Sequence, residues 1–254
     1  MNQSVHELGC SSFHRDGFLV VRNLVSQQDL EGMRHAATAA LTPLQGPAEY
    51  EADVGYPGSP KSRADIGGQT PRRLLNAYSR DPAFRHWGAD ESVISWLRAL
   101  MSDPDISLSQ CHHNCVMTKH PGYSSETLWH QDVRYWSFDR PELISVWLAL
   151  GHERMDNGAL RLIPGSHVLD LDRGRLDKGL FLRTDLEENH VLIDAAVPVE
   201  LEPGDALFFH CRVFHAAGAN DTDQVKLSVA FTYHESGNRP IPGTRSDLYP
   251  SIPL

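Results

Sequence analysis

The chain has 254 residues, of which 41% are hydrophobic and 22% charged, and its formal net charge is −10. This acidic balance argues against nucleic acid or an anionic membrane surface as a partner. The sequence has no run of about 18 apolar residues that could span a bilayer, and its first residues lack the basic-then-apolar order of a signal peptide. We therefore expect a cytoplasmic protein; its oligomeric state cannot be read from the sequence.

The first hundred residues carry helix signals around one short strand. A helical turn at 11–17 precedes a predicted strand at 18–21. Ser26 begins a capping-box-like start, with Asp29 three residues later. Apolar residues then repeat at helical spacing until the helix stops before Pro43, and Asp81-Pro82 opens two short helices at 82–88 and 90–101. The apolar face of the first helix consists of Leu30, Met33, Ala37 and Leu41.

Residues 42–71 show no periodicity and are interrupted by glycine and proline. Structureless connections of about thirty residues are uncommon inside compact domains and are often lids or binding loops. A surface excursion without fixed structure is an equally open interpretation of this segment.

After Asp105 the pattern changes to strands separated by turn residues. Helices first and many strands later predict one antiparallel sandwich or barrel with helices packed outside it. We find no repeats and no linker, so we expect a single domain. The predicted strands lie at 106–118, 127–136, 143–150, 159–163, 190–201, 206–210, 213–217 and 225–234.

A candidate metal site begins at His130 and Asp132, which are separated by one residue in a β-favouring run. Alternate side chains of an extended chain point the same way, so both can face one point. A second histidine would complete the two-histidine, one-carboxylate face that holds non-haem Fe(II) and leaves positions open. The pair alone is a weak signal, because any surface strand can carry it by chance.

The third ligand is expected near the end of a hydrophobic strand at 206–210, where His210 and His215 stand beside small residues. Five residues separate the two histidines, which places them on opposite faces of an unbroken strand. At most one of them therefore reaches the metal, and residue spacing does not decide which.

Four ordered motifs resemble the phytanoyl-CoA dioxygenase family over about residues 13–233. They are Trp129-His130-Gln131-Asp132, Asn157-Gly158-Ala159-Leu160, Ile163-Pro164-Gly165-Ser166-His167, and Gly204-Asp205 followed by His215-Ala216-Ala217-Gly218. The resemblance implies a double-stranded β-helix (a jelly-roll, cupin-like core) at about 105–235, after a helical part at about 11–101, in one domain of residues 1–254.

The resemblance also implies chemistry. It assigns Fe(II) to His130, Asp132 and His215, with 2-oxoglutarate and O2 as co-substrates, and makes His210 a core residue or a neighbour of the ligands. Related halogenases replace the carboxylate with a small residue, so Asp132 favours hydroxylation of a small molecule, with release of succinate and CO2. A non-catalytic protein of the same fold that binds metal and 2-oxoglutarate, as a sensor does, is the alternative.

Candidate residues for 2-oxoglutarate follow from the same resemblance. The family usually has an arginine eleven residues after the distal histidine, and this chain has Lys226 there. Lysine keeps the charge but loses the bidentate fork, and an inward lysine on an apolar strand needs an anionic partner. Ala217 stands where relatives often have a serine. The further candidates are Lys119, Arg73, Trp147 and Cys115.

Candidate substrate residues follow the metal motif or lie on the strand before it. They are Arg134, Tyr135, Trp136 and His113, and His112 lies beside the last of these. A paired arginine, packed aromatic rings and hydrogen-bonded core histidines are the ordinary structural alternatives.

Overall fold

The computed structural model describes residues 3–254. The α-helices are α1 Gln3–Asp16, α2 Gln27–Leu41, α3 Ala77–Arg80, α4 Pro82–Gly88, α5 Glu91–Met101 and α6 Glu187–Asp194. The strands are β1 Phe18–Val21, β2 Ala48–Tyr50, β3 Pro71–Leu75, β4 Ile106–Lys119, β5 Thr127–His130, β6 Ile144–Ala149, β7 Leu160–Leu162, β8 Val197–Val199, β9 Ala206–His210, β10 His215–Ala217, β11 Lys226–Glu235 and β12 Ile252–Pro253. Within residues 3–254, no helix is both long and apolar enough to cross a membrane.

The strands form two antiparallel sheets. The larger has the order β1-β9-β6-β11-β4-β3-β2, with β12 added beside β4, and the smaller has the order β5-β10-β7-β8. Apolar side chains from both sheets meet in one cluster that contains Trp147, Leu160, Leu162 and Phe209. The expected jelly-roll core is confirmed.

Helices α1 to α5 cover the outer face of the larger sheet, whereas α6 packs beside the smaller one. α2 begins as predicted, since the Ser26 side chain accepts a hydrogen bond from the Asp29 amide at 3.1 Å. The apolar faces of α2 and α5 bury Met33 and Trp96 in the same cluster as Phe208 and Phe231 of the sheet. This layer fixes the sheet from outside, while the metal motif lies between the sheets.

Two strand predictions were wrong in part. Residues 187–194 form α6, because the buried Asn189 amide donates to the carbonyls of Arg175 at 3.0 Å and Arg183 at 2.7 Å and holds a helical turn there. The strand expected at 127–136 ends at His130, and a 3-10 turn begins at Asp132. Its second amide, that of Val133, donates to the Cys211 carbonyl.

The segment at 42–71 is built into the fold. β2 pairs with β3 and extends the larger sheet, and residues 51–70 between them form what we call the pocket loop. The Glu51 side chain at its start is fully buried and accepts hydrogen bonds from Ser125 Oγ at 2.6 Å and Arg72 at 3.3 Å. At its end, a Cβ on Gly68 would lie 2.1 Å from the Ser62 carbonyl oxygen, so only glycine fits.

Candidate metal centre

His130, Asp132 and His215 meet in a buried group between the two sheets. His130 ends β5 and His215 begins β10, and the two residues are direct partners in that antiparallel pair, so their rings lie side by side. Asp132 Oδ1 lies 3.4 Å from His130 Nε2 and 3.5 Å from His215 Nε2. One ligand atom from each residue lies within 4.8 Å of the others.

The hydrogen bonds of the two imidazoles leave their metal-binding nitrogens free. His130 Nδ1 lies 2.8 Å from the Leu128 carbonyl, and His215 Nδ1 lies 3.0 Å from the Val213 carbonyl. A carbonyl only accepts, so each Nδ1 carries the proton and each Nε2 lone pair turns toward Asp132. Buried Asp132 Oδ2 has no hydrogen-bond partner within residues 3–254. Two imidazole lone pairs and a carboxylate fit non-haem Fe(II).

His215 and Asp132 are already in the protonation states that a metal requires. Burial lowers the pKa of His215 to about 4, so its imidazole is neutral near pH 7. Burial alone would raise the pKa of Asp132, but the neighbouring His113, His215 and His130 outweigh it and hold that pKa well below its usual range. Neutral imidazole and ionised carboxylate are the forms that bind metals.

His210 belongs to a different part of the molecule. Strand β9 ends at His210, and β10, which begins at His215, belongs to the other sheet. His210 and His215 are therefore not on one continuous strand. His210 Nδ1 accepts from the Arg212 amide at 3.1 Å, and its Nε2 therefore donates to Glu142 Oε2 at 2.9 Å. The structure thus brings His215, not His210, to His130 and Asp132.

His112 and His113 lie next to the group on a bulged part of β4. His113 Nδ1 lies 3.1 Å from Ser145 Oγ and 3.5 Å from Asp132 Oδ2. His112, His113 and Asp132 are also close enough to share an ion. However, Nη1 of the Arg73 guanidinium lies 3.2 Å from His112 Nδ1, and its charge opposes a cation at that point.

A cavity with an empty volume of about 640 Å³, including its mouth, opens from this group. Six of the predicted co-substrate and substrate residues line it, namely Arg73, His113, Lys119, Tyr135, Trp147 and Lys226. Cys115 packs behind it in the core between the sheets, where burial raises its thiol pKa to about 11. Trp136 packs in another apolar cluster and donates to the Cys111 carbonyl at 3.0 Å. The Arg134 guanidinium lies over the Phe181 ring at 3.9 Å, beside Tyr135.

Lys226 points inward as expected, and its anionic partner is part of this chain. Its Nζ donates to Glu153 Oε2 at 3.0 Å, and both side chains are buried. Glu153 Oε1 accepts from Trp147 Nε1 at 2.8 Å and from Ser228 Oγ at 2.5 Å. No local sequence pattern marks Glu153, and the only hint of it is the need of an inward lysine for a counter-charge.

Lys119 lies directly opposite Lys226 in the β4–β11 pair. Its Nζ donates to the carbonyl oxygens of Ser125, at 2.8 Å, and Gly218. Burial, followed by the nearby charges of Lys226 and Arg72, lowers the pKa of Lys119 to about 7. No carboxylate within residues 3–254 pairs with it in the way that Glu153 pairs with Lys226.

The two arginines of the pocket wall do have carboxylate neighbours. Arg72 lies 3.3 Å from Glu51 and donates to Ser125 Oγ at 2.8 Å and Thr127 Oγ1 at 3.0 Å. Arg73 Nε lies 3.3 Å from Glu49 Oε1. Their charges are therefore largely neutralised inside the protein.

Aromatic side chains pack together beside the metal group. The hydroxyl groups of Tyr56, from the pocket loop, and Tyr135 lie 3.1 Å apart. Tyr56 also meets the Phe181 ring edge to face at 5.7 Å, and Phe181 in turn lies edge-on to His130. The pocket loop thus forms part of the wall of the metal pocket. Sequence periodicity did not decide between this role and a surface excursion.

A jelly-roll core around a buried two-histidine, one-carboxylate group is typical of non-haem iron oxygenases. A family model described as Phytanoyl-CoA dioxygenase (PhyH) matches residues 13–228. The chain belongs to the phytanoyl-CoA dioxygenase family.

Curated relatives include dioxygenase cdmA of Talaromyces verruculosus, 25% identical over 229 residues, covering 87% of this chain and 69% of that protein. Human peroxisomal phytanoyl-CoA dioxygenase is 24% identical over 233 residues, with 86% and 65% covered. Ectoine dioxygenase of Sphingopyxis alaskensis is 24% identical over 248 residues, with 90% and 76% covered.

Solved structures show the same fold. The epimerase SnoN in complex with Fe3+, alpha ketoglutarate and nogalamycin RO has a TM-score of 0.76 at 21% identity, covering 100% of this chain and 96% of that one. EctD from S. alaskensis with 2-oxoglutarate and 5-hydroxyectoine has a TM-score of 0.77 at 20% identity, with 95% and 78% covered. None of these comparisons supports the non-catalytic alternative.

Proposed function

We propose that the protein hydroxylates a small-molecule substrate in a reaction that uses Fe(II), O2 and 2-oxoglutarate and releases succinate and CO2. His130, Asp132 and His215 hold the iron. The observation that carries this proposal is the buried group itself, in which two imidazole lone pairs converge on a carboxylate with an unpartnered oxygen. When bound, iron and 2-oxoglutarate supply the oxygen activation.

The chain's own cations support a place for the co-substrate. The far carboxylate of 2-oxoglutarate meets Lys119 and Lys226, which face each other across β4 and β11 and both line the cavity. Lys226 is paired with Glu153, whereas Lys119 donates only to carbonyl oxygens, so the protonated form of Lys119 has no carboxylate partner among residues 3–254. Trp147 forms the adjacent wall, with Lys226 Nζ 5.1 Å from the centre of its ring.

The aromatic side chains beside the metal group exclude water and face the substrate. Tyr56, Tyr135 and Phe181 enclose the metal group on one side. Arg134, stacked on Phe181, offers an anion or a polar group of the substrate a charge that no carboxylate of residues 3–254 pairs with. The cavity mixes apolar and aromatic walls with a few polar and charged groups, which is the lining of a small-molecule site.

Product analysis over a panel of small molecules tests the proposal. Fe(II)-loaded protein, 2-oxoglutarate and O2 should give substrate-dependent succinate and a product that has gained one oxygen atom by mass spectrometry. Asp132→Ala is the matched control and should give neither. Succinate accompanied only by ring closure or epimerised product would overturn hydroxylation, and absence of substrate-dependent succinate across the panel would overturn the oxygenase function.

A further inference from the structure

Glu153 is a fully buried carboxylate behind the wall of the metal pocket, and both of its oxygens are used. Oε1 accepts from Trp147 and Ser228, and Oε2 accepts from Lys226. Its backbone exchanges hydrogen bonds with Leu201 at 2.9 and 3.1 Å. The carboxylate therefore accepts from three donors, and the backbone of the same residue is anchored as well.

Stability alone is a weak explanation for this arrangement. Taking a carboxylate and an ammonium out of water costs several kcal/mol for each ion, and well-packed apolar residues of similar size are often as stable. The surroundings are apolar enough to accept such residues, since Trp147 and Leu201, which both contact Glu153, belong to the buried apolar cluster between the sheets. The pair instead lies at one particular place, the pocket wall, which Lys226 helps to form.

The charges of the pocket wall leave one positive charge unmatched. Four cationic side chains line the cavity, and three of them have a carboxylate partner, which leaves Lys119. The partnered cations are Arg72 with Glu51, Arg73 with Glu49, and Lys226 with Glu153. When Lys119 is protonated, the one excess positive charge among these four cations matches one carboxylate. Without Glu153, two neighbouring ammonium groups would face that single carboxylate.

We propose that Glu153 is a positioning and specificity-determining residue, which holds Lys226 in the wall and sets the net charge of the co-substrate end of the pocket. This inference rests on the proposed function, because it concerns the same pocket. Glu153 limits how tightly the pocket binds the far carboxylate of a 2-oxo acid. It thereby sets the preference of the pocket for 2-oxo acids with a charged far end over those with an uncharged one.

Anaerobic calorimetry on the Fe(II)-loaded protein tests this inference without turnover. The probes are 2-oxoglutarate and 2-oxopentanoate, which has the same chain length and an uncharged end. Glu153→Gln keeps the size of the side chain and frees Lys226, so 2-oxoglutarate should bind about tenfold more tightly while 2-oxopentanoate changes little. The measured quantity is the ratio of the two dissociation constants, which a purely structural role would not move.

Two further variants provide the controls. Lys226→Met alone leaves Glu153 unpaired and should lower the preference for 2-oxoglutarate about tenfold. Glu153→Gln combined with Lys226→Met removes both charges, leaves Lys119 and should restore the wild-type ratio. If Glu153→Gln does not fold, the comparison of these two variants carries the same test.

The possible failures are distinguishable. A ratio that stays within about twofold of wild type in folded Glu153→Gln, or that is equal in the single Lys226→Met and the double variant, overturns the inference alone. If the wild-type Fe(II) protein binds neither 2-oxo acid, the proposed function fails and this inference fails with it.

Discussion

Lys119 and Lys226 lie directly opposite each other on the antiparallel strands β4 and β11, and both line the metal pocket. Like charges at directly opposed positions destabilise a sheet. Glu153 neutralises one of them, and Lys119 instead has a pKa lowered to about 7. An anion that binds between them would favour the charged form of Lys119.

Co-substrate affinity should therefore depend on pH. Binding of 2-oxoglutarate raises the Lys119 pKa from its value of about 7 in the free pocket. Below pH 7 the lysine is protonated in both states and affinity is highest. As pH rises above about 7, a proton must be taken up on binding, so affinity should fall by up to about tenfold per pH unit until the pKa of the bound state is reached.

Calorimetry of the anaerobic Fe(II) protein between pH 6 and 9 measures this dependence. Lys119→Met should bind 2-oxoglutarate more weakly and show a flat profile over the same range. Affinity that is constant or rises with pH in the wild-type protein would contradict the role given to Lys119.

Replacement of His215 should weaken Fe(II) binding, whereas replacement of His210 should not. His215→Ala removes one of three ligand atoms and should lower Fe(II) affinity by at least about 100-fold, since even changes next to metal ligands cost 10–100-fold. His210→Ala is the matched control and should retain iron, because its side chain bonds to Glu142 instead. Iron content after gel filtration measures both, and equal loss in the two variants would refute the assignment.

The buried ion pair at the start of the pocket loop should matter for stability. Glu51→Ala removes the nearer carboxylate of the buried Arg72 and leaves it only Glu49, at 3.8 Å. Breaking a buried pair costs about 3–5 kcal/mol of unfolding free energy. Glu31→Ala removes a half-exposed pair with Arg34 and should cost no more than about 1 kcal/mol. Urea unfolding of both variants checks the difference, and a similar small loss in each would show that the buried pair is not needed.

The contact between Tyr56 and Tyr135 should hold the pocket loop closed. Tyr56→Phe removes the hydroxyl-to-hydroxyl hydrogen bond, which is worth about 0.5–1.5 kcal/mol, so amides of residues 51–70 should exchange about 2–10-fold faster. Tyr123→Phe is the control, because Tyr123 meets this loop at Gly67 through its ring. Unchanged exchange in Tyr56→Phe would mean that packing alone closes the loop.

The sequence predicted that His130, Asp132 and His215 lie together, although local residue spacing alone does not give this group. The spacing of His130 and Asp132 was informative even though Asp132 begins a 3-10 turn and does not continue the strand. The choice of His215 over His210 needed the break between β9 and β10, which moves the second histidine into the other sheet. The prediction from residue spacing treated His210 and His215 as lying on one strand. The family motifs supplied the choice of His215.

Other parts of the site depend on contacts that are distant in sequence. The inward Lys226 implied an anionic partner, but Glu153 is 73 residues away and carries no local pattern that marks it. Residues 190–194 have the apolar, β-branched composition of a strand, yet the buried hydrogen bonds of Asn189 favour a helix there. The role of the pocket loop likewise became clear only from Tyr56 and Glu51.

The central claim is that His130, Asp132 and His215 hold an iron to which 2-oxoglutarate binds. Absorption spectra recorded as 2-oxoglutarate is added to the anaerobic Fe(II) protein test it most directly. We predict a visible charge-transfer band that saturates at one co-substrate per iron and is absent in Asp132→Ala. Wild-type protein that binds iron and 2-oxoglutarate without this band, or an undiminished band in Asp132→Ala, would contradict this assignment of the ligands.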